Sequence, residues 1–564
     1  MAVGNWQTSD SATMVAKNLA GGFADRTLFE GIDLTVSPGD VIGVIGANGA
    51  GKSTLLRILA GSLEPLVGSI ALAPPDALVG WLPQERDRCP GETVTGYIQR
   101  RTGCAAATRE MDRAAAALAD PQGQGATARS VDDTYAAALE RWLASGAPDL
   151  DERLPGVLAE LGLEHAVEDP DSVLMQGLSG GQVARVGLAA LMLSRFDIVL
   201  LDEPTNDLDL DGIARLEAFV AALPGGVVLV SHDREFLARS VTRILELDLI
   251  QNTTTLFGGG YDSYLRERDI ARQHRRQEYD DFAEKKADLV ARARIQREWS
   301  SQGVRNAIRK SPDNDKIRRR AATESSEKQA RKVRQMESRI ARLDEVAEPR
   351  KEWHLQFTLG AAARSSSVVS TLNNAILHQG SFVLGPVSVQ VNAGERIGIT
   401  GPNGSGKSTL LHLLLGRHQP TSGSASLGAS ISVGEIDQAR AAFTGPDRLL
   451  DRCEVLLPQW SLADIRTLLA KFGLRADHVE RSVDGLSPGE RTRAGLALLQ
   501  ACGTNVLVLD EPTNHLDLPA IEQLEQALEA YEGALLLVTH DRRMLNNVRL
   551  DRIWRIQAGQ VSED

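Results

Sequence analysis

Cysteine is scarce in this chain. The four cysteines, Cys89, Cys104, Cys453 and Cys502, are scattered and form no CxxC pair, which argues against a zinc or iron–sulfur site and fits a reducing compartment. No apolar run approaches the ~18–20 residues needed to cross a bilayer. The longest, such as Ala534 to Val538, have the length of a core strand. The start, Met1 to Asp10, has neither a basic segment nor an apolar one of the kind that directs secretion. Positive balance is also lacking: the net charge is −13, which by itself argues against unspecific binding of a polyanion. A chain of 564 residues with these omissions is expected to hold several domains and to reside in the cytoplasm, without stable membrane insertion.

What is present is present twice. Gly46-Ala47-Asn48-Gly49-Ala50-Gly51-Lys52-Ser53 and Gly401-Pro402-Asn403-Gly404-Ser405-Gly406-Lys407-Ser408 both read GxxxxGK[ST], and Thr54 and Thr409 follow them. Such loops cradle phosphates: glycines let backbone N–H groups close around the oxygens, the lysine adds charge, and the serine hydroxyl serves Mg²⁺. The following helix points its positive end at the phosphates. Each loop has the same ordered companions. Leu178-Ser179-Gly180-Gly181-Gln182 lies 24 residues before Asp202, and Leu486-Ser487-Pro488-Gly489-Glu490 lies 24 before Asp510. Asp202-Glu203 and Asp510-Glu511 each close an apolar run; His232 and His540 follow those aspartates by 30 residues. Gln84 and Gln438 come 32 and 31 residues after the loop lysines.

With the runs Asn206-Asp207-Leu208-Asp209 and Asn514-His515-Leu516-Asp517 that follow the glutamates, six recurring elements in order resemble the nucleotide-binding domain of ABC ATPases, over roughly residues 1–255 and 365–564. Short β-rich runs ending in a P-loop, then Leu-rich helices, then further continuous apolar runs, predict α/β domains with a mostly parallel sheet covered on both faces. The fold class expected is two tandem ABC-type P-loop ATPase domains, 1–257 and 353–564, joined by a long antiparallel α-helical hairpin linker at 258–352. From Gln84 to Leu178 the first copy spans 94 residues, against 48 from Gln438 to Leu486 in the second. The extra segment, about 88–175, includes the Ala-rich stretch Ala105 to Ala117, which reads as helical. It is either an enlarged helical subdomain or a protruding arm that touches a partner.

The linker differs in charge. Residues 261–352 carry +7 and the rest of the chain −20; the inner part, 291–342, carries +10. Val333, Met336, Ile340 and Leu343 step by three, four and three, a heptad-like seam. Gly303 and Ser311-Pro312 punctuate the middle, so two long helices are expected, with a tip at 303–311. A first helix of ~40 residues would project ~60 Å at ~1.5 Å per residue. Charge runs are commonly solvated faces. Here an apolar seam and the arginines flanking the tip favour contact with a phosphate backbone. Arg297, Arg305, Arg309, Lys310, Arg318, Arg319 and Arg320 are the candidates.

Tandem cassettes, no membrane domain and a charged helical linker resemble the ABC-F family, as do the Walker B and D-loop runs Asp202 to Asp209 and Asp510 to Asp517 and the second signature Ser487-Pro488-Gly489-Glu490-Arg491. The resemblance implies a ribosome-associated ATPase whose linker enters the tRNA exit site, near rRNA and tRNA. Such a protein modulates translation or displaces ribosome-targeting antibiotics of the macrolide or lincosamide type. It implies ATP and Mg²⁺ as cofactors and a monomer whose two cassettes pair with each other, Lys52 and Ser53 facing Ser487 and Gly489, and Lys407 and Ser408 facing Ser179 and Gly181. By the same resemblance Ser53, Ser408, Asp202, Asp510, Gln84 and Gln438 serve the metal. Glu203 and Glu511 act as general bases, His232 and His540 contact the γ-phosphate, and Phe23 stacks on adenine. The second copy has His378 at the place of Phe23, and Pro488 and Glu490 depart from the usual Gly and Gln. The sequence runs 24 residues past His540, so the C-terminal coiled coil of the DNA-binding branch is not expected. The competing function is the ATPase half of a drug exporter working with a separate membrane subunit; a DNA-repair ATPase is a third.

Overall fold

The computed structural model of the protein describes residues 12–23, 26–84, 89–119, 128–248, 253–271, 366–380, 382–436, 443–514 and 516–563, with a few further positions between 273 and 331. The chain forms two compact units: Met1–Asp262 together with Leu355–Asp564, and Ser263–His354. The expected linker tip 303–311 lies outside the described residues, as do Arg297, Arg305, Arg309, Lys310, Arg318, Arg319, Arg320 and Gln438. In the second unit, residues 263–271 are helical.

The first cassette begins with three strands, β1 (Thr13–Phe23), β2 (Arg26–Val36) and β3 (Val41–Gly46). Then come β4 (Val67–Ala73), β5 (Val79–Leu82), β6 (Ile198–Asp202), β7 (Gly226–Val230), β8 (Arg243–Asp248) and β9 (Thr253–Gly258). β2, β1 and β4 form an antiparallel sheet. The other six form a sheet in the order β5-β6-β7-β3-β8-β9, parallel except for β9. β6 and β7 are buried at every residue. That is why both read as unbroken aliphatic runs rather than as alternating ones: a strand covered on both faces has no solvent side to mark. The sequence pattern finds this sheet and misses the antiparallel one.

β3 is the first strand of the large sheet in chain order, yet later strands flank it on both sides. Connections therefore diverge at its carboxyl end, the place where open α/β sheets bind ligands. The P-loop occupies it. Gly51, in the left-handed region at φ 95°, turns the chain into helix Lys52–Leu59, so the helix begins at the loop lysine itself, two residues before the Leu-rich run suggests. A Cβ on Gly51 would also stand 3.0 Å from the Phe29 ring. Both reasons restrict the position to glycine.

The second cassette repeats the plan. Its strands are β10 (Val368–Gln379), β11 (Phe382–Asn392), β12 (Arg396–Thr400), β13 (Ser422–Leu427), β14 (Val433–Ile436), β15 (Val506–Asp510), β16 (Ala534–Val538), β17 (Arg552–Gln557) and β18 (Gln560–Glu563). They form an antiparallel sheet β11-β10-β13 and a large sheet β14-β15-β16-β12-β17-β18. Each large sheet packs with its antiparallel sheet and its P-loop helix around one apolar core, centred on residues such as Leu56, Leu200 and Val228 in the first copy and Leu411, Val508 and Leu536 in the second.

The extra segment of the first cassette is helical. Cys104–Ala119 packs on Ala128–Ala144: Ala114 and Ala138 are buried, Trp142 donates to Thr108 Oγ1 at 3.1 Å, and Arg141 pairs with Glu110 at 2.6 Å. In the second cassette the corresponding region holds the shorter helices Leu449–Leu456, Leu462–Lys471 and Ala476–Val479. Among the described residues, no helix is long and apolar enough to cross a membrane.

Candidate functional site

Each loop lysine is held down by its own loop. Lys52 Nζ donates to the carbonyls of Gly46 (2.9 Å) and Ala47 (3.2 Å), and Lys407 Nζ to those of Gly401 (2.8 Å) and Pro402 (3.0 Å). Burial lowers the pKa of both lysines, against the pull of nearby Glu203 and Glu511 respectively. Ser408 Oγ donates to Asp510 Oδ2 at 2.8 Å, and Ser53 hydrogen-bonds Asp202. Burial raises both aspartates. Asp202 Oδ1 is buried and has no hydrogen-bond partner among the described residues. A bare carboxylate oxygen beside a serine hydroxyl is a donor set that suits a hard divalent cation such as Mg²⁺. Gln84, just past β5, is exposed.

Glu203 and Glu511 sit one residue beyond β6 and β15 with φ of 49° and 47°. A non-glycine residue there carries backbone strain of ~1–2 kcal/mol. The strain is held by the N–H groups, which donate to Val230 O and Val538 O, both at 2.9 Å. The carboxyls are thereby aimed at the histidines. His232 Nε2 stands 3.1 Å from Glu203 Oε1, and the His232 N–H donates to Oε2 at 3.3 Å. The His540 pair repeats this at 3.3 and 3.3 Å. Burial pushes Glu203 up to about 7, with Lys52 opposing; Glu511 moves in the same direction for the same cause. Burial, with Lys407 adding to it, takes His540 down to about 3. Lys407 Nζ stands 3.3 Å from His540 Nε2.

The two cassettes meet across these groups. A cavity of about 540 Å³ is lined on one side by Asn403, Lys407, Ser408, Asp510, Glu511 and His540 and on the other by Ser179, Gly181, Asp207 and His232. The second P-loop and the first signature therefore face one space. Gly181 is pressed close: a Cβ there would lie 2.8 Å from Asn403 Nδ2. Signature helices start with reciprocal caps. Ser179 accepts from Gln182 N–H at 3.3 Å while its own N–H donates to Gln182 Oε1 at 2.8 Å; Ser487 and Glu490 do the same at 3.3 and 2.7 Å. Hairpin β10–β11 brings Gln379 and Phe382 to the cavity, while His378, pairing with Val383, is exposed. The aromatic wall of this site is thus Phe382, from the strand after the position the motif spacing indicates. Nothing of the Phe23 side chain is described.

Sequence reasoning missed the D-loop aspartates. Asp209 caps helix Leu210–Ala222 and reaches across: Asn403 N–H donates to its Oδ2 at 3.1 Å, and Arg185 of the signature helix also pairs with it. Burial pushes Asp209 up, but these hydrogen bonds hold its carboxyl below the usual range. Asp517 mirrors it, accepting from Asn48 N–H at 3.3 Å. Both aspartates stand at helix-start positions in the duplicated DEPTN run, which was the available signal; a contact spanning 194 residues leaves no local trace.

Comparison with known proteins agrees with this geometry. The ABC transporter family matches residues 29–206 and 384–514. The chain is 34% identical to the tylosin resistance ATP-binding protein TlrC of Streptomyces fradiae, over 95% of this chain and 96% of that protein. It is 31% identical to the energy-dependent translational throttle protein EttA of Escherichia coli K12, over 93% of this chain and 88% of that one. Among solved structures, the archaeal ribosome recycling factor aABCE1, in complex with the ribosomal stalk protein aP1, shares the fold with a TM-score of 0.53 at 19% identity, covering 96% of this chain and 88% of that one.

Proposed function

This chain belongs to the ABC-F family of ABC ATPases, and from that premise we propose that it acts on the ribosome, its linker inserted at the tRNA exit site against rRNA, to modulate translation or displace macrolide- or lincosamide-type antibiotics. It binds and hydrolyses ATP. The observation that carries the reading is the shared cavity between the second P-loop and the first signature, in a chain whose basic charge is gathered in the segment between the cassettes. A nucleotide that touches both halves favours the closed pair over the open one, and only that difference in affinity can bias the conformation. Closure then sets the pose of the linker, and hydrolysis releases it. The names of TlrC and EttA, one a resistance protein and the other a translational throttle, support the two outcomes named.

In each site Ser53 with Asp202, or Ser408 with Asp510, would hold Mg²⁺, with Gln84 and Gln438 beside it. Mg²⁺, when bound, offsets charge on the phosphate oxygens. The P-loop glycines and Asn48 or Asn403 enclose the phosphates, and Lys52 and Lys407 leave their loop carbonyls to meet them. Ser179, Gly181 and Gln182, or Ser487, Gly489 and Glu490, close the site from the other cassette. Glu203 and Glu511 accept the proton of the attacking water. His232 and His540 hold the γ-phosphate and, through their N–H groups, the glutamates.

The test is the double variant Glu203→Gln, Glu511→Gln. It should lose at least ~100-fold in ATPase rate, the size of a general-base contribution, and should co-sediment with ribosomes when ATP is present. Co-sedimentation unchanged by ATP would count against the reading.

A further inference from the structure

The two cassettes also meet at the helices that follow the switch histidines, Arg234–Ser240 and Arg542–Asn547. Most of this contact is symmetric. Arg234 reaches Glu525 at 3.0 Å and Asp541 at 3.3 Å; its counterpart Arg542 reaches Glu217, the counterpart of Glu525, at 3.0 Å. One position breaks the symmetry. Third after the histidine, the first copy has Glu235 and the second Arg543, and these two counterparts, 308 residues apart, pair with each other at 3.4 Å. Identical residues there would place like charges together.

Arg543 does more than complement Glu235. Its Nη2 donates to Asp262 at 3.0 Å, and its guanidinium lies 5.3 Å from the centre of the Tyr261 ring, which is fully buried. Asp262 is the last residue of the cassette unit before the chain leaves for Ser263–His354. One side chain, three residues from His540, thus holds the helix behind the first histidine loop and the root of the linker together. A charge pair that served only to join cassettes would need no hold on Tyr261 and Asp262.

We propose that Arg543 is a positioning residue that ties the linker root at Tyr261 and Asp262 to the histidine loops of both cassettes, so that closure around ATP is passed to the linker through this contact. The proposal deepens the lever reading above and rests on it. The readout is energy transfer between a label in 303–311 and one in the first cassette, with and without ATP, in the full chain carrying Glu203→Gln and Glu511→Gln. Unaltered at position 543, this chain should show an ATP-dependent change. Arg543→Glu should reduce that change to less than about a third. The exchange Glu235→Arg with Arg543→Glu restores opposite charges at the cassette pair, takes from Arg239 the Glu235 carboxylate it holds at 2.8 Å, and leaves a glutamate against Asp262, so the change should stay low. Adding Asp262→Arg should bring back at least half of it. A full response in Arg543→Glu, or full recovery by the exchange alone, would overturn the proposal, the latter by showing that the pair only joins cassettes. No ATP response at all in the chain unaltered at position 543 would instead remove the lever itself.

Discussion

Glu203 illustrates how a residue's chemistry follows from where the backbone stops. Strand β6 ends inside the core, so the next side chain is buried, and burial raises its carboxyl to about 7. A base must be ionised to accept a proton. ATPase turnover is therefore expected to fall as pH drops through about 7, and a rate profile between pH 5.5 and 9 checks this. Stability of the nucleotide-free protein should move the opposite way. A folded pKa above the unfolded value of about 4.5 contributes stability that is full below 4.5 and is lost as pH rises through 7. Glu203→Gln should flatten that loss, on the order of 3 kcal/mol by pH 8, as read from denaturant midpoints in the two proteins. The identity and spacing of Glu203 were plain in the sequence. Its strained φ and its grip on His232 were not, because both depend on Val230 of the neighbouring strand.

At the scale of the element, the second signature shows which substitutions a helix start accepts. Proline at its first position needs no N–H donor there, and φ is already fixed as the helix requires. Glu490 in place of glutamine still presents an oxygen to the Ser487 N–H, so the capping box survives. Glu490→Gln should leave stability and ATPase rate within about twofold. Glu490→Ala removes the side-chain half of the box and should lower stability by ~1 kcal/mol in thermal or denaturant melts. Much at this level was legible beforehand: buried strands, P-loop helices and the Ala-rich helix at Cys104–Ala119 follow from apolar runs, glycine and propensity. The antiparallel sheet β2-β1-β4 was not, since its strands carry bulges that interrupt any period-two pattern. Phe382 escaped for a related reason: it opens β11, the strand after the one that carries His378, and equivalence with Phe23 singles out only the earlier strand.

The whole molecule is an acidic body with a basic insert. Its proposed partner is a polyanion, so the attraction must come from the linker and must work against the remainder. Ribosome binding in the ATP-trapped state should weaken steeply with salt. Replacing Arg305, Arg309 and Lys310 together by Ala should reduce the slope of log affinity against log salt by up to about 2–3, at ~0.7–0.9 for each phosphate no longer neutralised. Sedimentation across a salt series measures it, and an unchanged slope would place the binding surface elsewhere. The duplication could be read from spacing alone, and the expectation of paired cassettes came from the family resemblance that the duplicated motifs carry. How the halves address each other could not, because the deciding bonds, Asp209 to Asn403 and Asp517 to Asn48, join segments far apart in the chain.

Those two crossing bonds bear on how such a protein can change over generations. Each DEPTN run serves two clients: its glutamate works at home, while the aspartate at its end steadies the neighbour's phosphate loop. An altered residue in one copy is therefore felt at the far site as well. Gene duplicates normally drift apart once one of them suffices, but these two are yoked, and a lineage that let one engine decay would have to re-engineer the survivor at the same time.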